Sequence, residues 1–188
     1  MTSKAEQERR RLQSQDLEGF KNELLTGSDR ATAVLGTAFL DEQLRQLLES
    51  FFVDESEARL LLNGPLYSFA TRIKVSYCLG LITRTEFALL LCIRDIRNAV
   101  AHGLHGASFD DLDMAKKFTE LKSYLPVQAA NLETPFKVFM TAAFSARLGL
   151  SRSLTNSLQM PRRTVPDLPL IKSVIAGDPR SRARKKVV

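Results

Sequence analysis

Helical spacing of apolar residues, unbroken by proline over the first 64 positions, constrains this 188-residue chain more than any other feature. Proline lacks an N–H and fixes φ, so it is disfavoured inside helices. The first of seven prolines is Pro65, and Pro161, Pro166, Pro169 and Pro179 crowd the last 28 residues, which puts the end of regular helix near residue 160. Before that point Leu40, Leu44, Leu47, Leu48 and Phe51 follow i, i+4, i+7, i+8, i+11, with Asp41, Arg45 and Glu49 as a charged ladder beside them. Met114, Phe118, Leu121 and Leu125 repeat the pattern, with Asp110, Asp111 and Asp113 ahead of Lys116, Lys117 and Lys122 in the order the helix dipole favours. Thr134 and Pro135 read as N-cap and first residue of a helix whose stripe, Phe136, Phe139, Met140, Ala143 and Phe144, runs to an end near Gly149.

In the middle of the chain, Asn63-Gly64-Pro65 interrupts the pattern, and Leu66, Phe69, Ile73, Tyr77 and Leu81 then line one side of a helix stopping around Gly80. Thr83 and Glu86 form a T-x-x-E capping box, so a new helix starts at Arg84 and runs to Gly103. The two make an antiparallel hairpin. No period-2 alternation and no fixed-length repeat occurs, so the expected class is all-α: a single multi-helix bundle over residues 4–158 with a flexible, Pro-containing basic tail over 159–188.

With 44% hydrophobic residues the chain can bury a core, which excludes collagen-like and wholly disordered readings. Its longest apolar runs, Ala33 to Leu40 and Phe87 to Ile93, are too short to span a membrane, and its first residues are charged. Cys78 and Cys92 sit among apolar neighbours and suit a core in a reducing compartment, so a cytoplasmic protein is expected. Of the net charge of +6, residues 147–188 carry +8 and the remainder −2. Any attraction to nucleic acid therefore belongs to the tail residues Arg180, Arg182, Arg184, Lys185 and Lys186. These can attract phosphate but have no aromatic partner for bases. His102 and His105 straddle Gly103, and the cysteines lack ligand spacing, so neither a metal nor a cofactor is expected. The helix after Gly80 begins Arg84, Thr85, Glu86 and then turns wholly apolar, whereas a DNA-recognition helix needs exposed polar residues to reach base edges.

Chemistry concentrates at the end of the Arg84–His102 helix. Leu89, Ile93, Ile96 and Val100 continue the apolar stripe, while Asp95, Asn98 and His102 stack on another side with Arg94 adjacent and Arg97 between. A hydrogen-bonded network of Arg94, Asp95, Arg97, Asn98 and His102 is expected, either as a structural staple, with His102 on the last carbonyls, or as a functional site.

Two resemblances cover this region. Arg97 to His102 is R-x-x-x-x-H with a polar residue after the arginine, and it resembles the signature of the HEPN helical superfamily. Several members are metal-independent ribonucleases that work as dimers, which implies His102 as acid or base and Arg97 as the phosphate-stabilising cation. The longer stretch from Gly64 to His102 resembles the mannitol operon repressor family (MtlR/YggD-like) in Gly64-Pro65-Leu66, Phe69, Ile73, Tyr77, Gly80-Leu81-Ile82, Ile96-Arg97-Asn98 and Ala101-His102. That resemblance implies an all-helical regulator that lowers expression of a sugar-alcohol operon, acting through a protein partner rather than a helix-turn-helix, with a homodimer as a candidate assembly.

Overall fold

The computed structural model describes residues 24–102, 108–126 and 131–159. Within them no strand occurs and six α-helices carry the fold, as the spacing requires. Helix α1 (Asp29–Phe51) starts where the Ser28 hydroxyl accepts from the Ala31 N–H, and it ends when Phe52 turns extended. Its buried face holds Leu40, Leu44, Leu47 and Leu48, and its first half adds the small residues Ala33 and Gly36. Helix α6 (Pro135–Gln159) lies along that face, and the Phe139 ring fills the space left by the missing side chain of Gly36.

Between these two long helices the chain makes short ones. Asp54 caps α2 (Glu55–Asn63) and Ser68 caps α3 (Phe69–Cys78), each through its side-chain oxygen. Gly80 then takes φ 71°, a left-handed conformation that costs glycine little. The chain reverses into α4 (Arg84–His102) with the capping box formed in both directions: Thr83 N–H donates to Glu86 at 2.7 Å and Glu86 N–H to Thr83 at 3.2 Å. Tyr77 stacks on Phe87 at 4.6 Å beside this turn, while the start of α3 meets the end of α4, so the hairpin is antiparallel as expected. A 3-10 turn (Leu112–Met114) leads into α5 (Ala115–Ser123), and Phe109 joins Phe118 and Phe139 in an aromatic cluster with centroids 5.2 and 5.1 Å apart. Burying these faces together supplies the stabilisation, at roughly 25 cal/mol per Å² of apolar surface.

Several boundaries differ from the sequence-based expectation. Leu66 and Leu81 lie outside α3, because Ser68 stops the preceding turn and Gly80 ends the helix. Asp110, Asp111 and Asp113 stay in the turn before α5, where Asp111 accepts from the Ser108 N–H at 3.0 Å. Helix α6 does not stop at Gly149; it passes through that buried glycine to Gln159, and the space above Gly149 is taken by the Glu86 carboxylate of α4. Cys92 is buried as expected, whereas Cys78 is exposed at the end of α3. No helix among the described residues is long and apolar enough to cross a membrane. The expected domain start at residue 4 and the tail from 160 onward lie outside the described residues.

Candidate functional site

The five polar residues at the end of α4 do not form one network. Arg94 turns back on its neighbour Asp95, donating from Nε and Nη2 at 2.9 and 2.6 Å. Arg97 donates from Nη1 to the Asn98 side chain at 3.0 Å. His102 is exposed and joins neither pair. The geometry explains the separation: five residues along a helix rotate the side-chain direction to about 140° away, so Arg97 and His102 leave α4 on different sides.

The capping of α4's last carbonyls, expected of His102, falls to a residue 70 positions earlier. Arg30 in the first turn of α1 donates from Nε to Val100 O at 3.0 Å and from Nη2 to Ala101 O at 2.6 Å. A charged fork of donors satisfies two carbonyls at once and sits at the negative end of the helix dipole. Next to it, Asp29 accepts from the Ser108 hydroxyl and the Phe109 N–H, both at 2.8 Å.

Arg94, Arg97 and Asn98 line a cleft of about 390 Å³ between α4, the start of α3 and the middle of α1. Tyr67, Ser68 and Phe69 form its α3 wall, and Thr37 and Asp41 its α1 wall. Behind the cleft lies Arg72, only 8% exposed, each of whose three guanidinium nitrogens donates: Nε to Leu66 O at 2.9 Å, Nη2 to Leu62 O at 3.2 Å and Nη1 to the Asp41 carboxylate at 2.7 Å. A buried guanidinium is tolerable only when paired in this way. Burial pushes the Asp41 carboxyl above its ordinary range, with Arg72 and, more weakly, Arg97 pulling it back. Asp41 is therefore not part of the surface ladder its spacing suggested; Arg45 instead pairs with Glu42 at 2.8 Å and Glu49 at 3.1 Å.

Two residues that line this cleft each carry a buried polar atom without a partner. Thr37 is 95% buried, yet its hydroxyl oxygen meets no donor or acceptor, and the buried Nε of Arg97 is equally unpaired. Neither Thr37 nor Arg72 stood out in the sequence, since a threonine inside an apolar run and an arginine within FATRIK look like ordinary helix residues. No group of three metal-ligating side chains occurs among the described residues. The Cys92 thiol is pushed up to about 12, mainly by burial, which keeps it protonated and unreactive. His105 and the tail residues Arg180, Arg182, Arg184, Lys185 and Lys186 lie outside the described residues.

No family model and no curated protein matches this chain. Among solved structures it is similar to a chain of the X-ray structure of the MtlR–HPr complex from Escherichia coli, at 20% sequence identity and a TM-score of 0.46 over 74% of this chain and 99% of that one.

Proposed function

We propose that this chain is a regulatory binding protein of the mannitol operon repressor type, which lowers expression of a sugar-alcohol operon through contact with a protein partner and not by catalysis. The Gly64–His102 stretch that carries the resemblance builds the α3–α4 hairpin, and its polar residues open into a cleft with no catalytic base to use. That observation carries the reading. The cleft holds no imidazole, and its one carboxylate is tied to Arg72. A general base must be within hydrogen-bond reach of the proton it takes. With Arg97 and His102 on different sides of α4, a ribonuclease built on the R-x-x-x-x-H pair would need a second copy to complete its site.

Deleting the gene should raise the transcript of the sugar-alcohol operon. Complementation should restore the low level equally well with wild type and with His102→Ala. The exposed His102 should also contribute little to stability, within about 0.5 kcal/mol. An unchanged transcript on deletion would sink the regulator reading. A folded His102→Ala protein that fails to restore repression would favour the ribonuclease reading over this one.

A further inference from the structure

We infer that the cleft between α1, α3 and α4 is a binding site for a small organic phosphate monoester. The argument begins with Thr37 and Arg97. Buried polar atoms are nearly always hydrogen-bonded, and here two unpaired ones belong to residues that line the same cleft, just beneath its surface. A third set of donors joins them at the start of α3. The first N–H groups of a helix have no partner within it. In α3 the Thr71 N–H is taken by the Ser68 hydroxyl and the Arg72 N–H by Ser68 O, which leaves the Phe69 and Ala70 amides, and both residues line the cleft. The Asn98 amide nitrogen is a further donor, since its oxygen already accepts from Arg97.

Donors thus outnumber acceptors. The one carboxylate on the wall, Asp41, already gives an oxygen to Arg72. Arg72, Arg94 and Arg97 against Asp41 and Asp95 leave one positive charge in excess. A site rich in N–H and O–H groups with surplus positive charge at a helix N-terminus suits an anion. Donor-bearing residues come from three helices, which suits a phosphate with three terminal oxygens better than a flat carboxylate with two. The volume exceeds what a bare phosphate fills, and the rings of Tyr67 and Phe69 flank the space left for a carbon body. This inference goes beyond the regulator reading: transcript levels test that one and binding tests this one, so either can fail alone.

The test is calorimetric titration and thermal melting of the full chain with inorganic phosphate, phenyl phosphate and benzoate at constant ionic strength. Phenyl phosphate should bind tightest, raising the melting temperature by roughly 5–10 °C at about 100 times its Kd. Benzoate should bind about 10-fold more weakly or worse, because it offers one terminal oxygen and up to one negative charge fewer. Thr37→Val, which keeps the shape and removes the orphaned hydroxyl, and Arg97→Gln should each weaken phenyl phosphate by about 10- to 100-fold. Thr37→Val should melt no lower than wild type without ligand, so it reads binding even if Arg97→Gln folds poorly. No saturable binding of either phosphate would overturn the inference. So would benzoate binding as tightly as phenyl phosphate, or undiminished affinity in Thr37→Val, which would move the anion to another part of the chain.

Discussion

Asp41 joins two opposing effects in one side chain. Burial raises its pKa above the ordinary 3.8, and the Arg72 bond lowers it without cancelling the rise. A carboxyl with a raised native pKa keeps its proton to higher pH in the folded state than in the unfolded one. Its favourable contribution is therefore fully present below 3.8 and is lost as pH rises through the native value. Asp41→Asn cannot titrate, so the stability difference, wild type minus variant, should shrink as pH rises across that window. Urea unfolding on either side of it measures the change, and a difference that grows with pH would show that the Arg72 bond outweighs desolvation. Nothing in the sequence separates Asp41 from its neighbours Arg45 and Glu49. All three share one helical spacing, and only the arrival of Arg72 from α3 turns one of them inward.

At the scale of elements, signals between near neighbours in sequence were legible and contacts between helices were not. The Thr83–Glu86 box, the Thr134 cap with Pro135 and the turn at Gly80 all act within a few residues and could be read directly. The course of α6 through Gly149 could not, because glycine near a helix end is ordinarily a stop, and only the Glu86 carboxylate packed against it explains its presence mid-helix. A Cβ at position 149 would overlap that carboxylate, which also holds the capping box of α4. Gly149→Ala alone should therefore be close to neutral, destabilising by about 0–1 kcal/mol, because displacing the flexible Glu86 carboxylate from its half of the capping box offsets the gain in helix propensity. In a Glu86→Ala background the same change should be neutral or stabilising by up to about 1 kcal/mol. A double-mutant cycle by chemical denaturation checks the coupling, and strict additivity would separate Gly149 from the cap.

For the whole molecule, periodicity was enough to specify an all-α fold, but which helix holds which depends on pairs far apart in the chain. The polar end of α4 shows this best. Local rules assign its last carbonyls to His102, while the folded protein brings Arg30 across from α1. The candidate cleft was half legible for the same reason: Arg94, Arg97 and Asn98 share one helix, whereas Thr37 and Asp41 join them only once α1 packs alongside. Asp29 and Arg30 are also adjacent, and they grip the chain on both sides of positions 103–107, Arg30 at Val100 and Ala101 and Asp29 at Ser108 and Phe109. Because the flanks are fastened by α1, the number of residues between them should matter little. Closing a longer loop costs only about 0.6 kcal/mol per doubling of its length. A spliced-in Gly/Ser segment of roughly ten residues should therefore lower stability by only about 1 kcal/mol, read as a small drop in a still cooperative melting curve. Loss of cooperativity would show that the clasp depends on the native length, whereas tolerance would give the protein an internal port for a fluorophore or affinity tag, leaving both chain ends free.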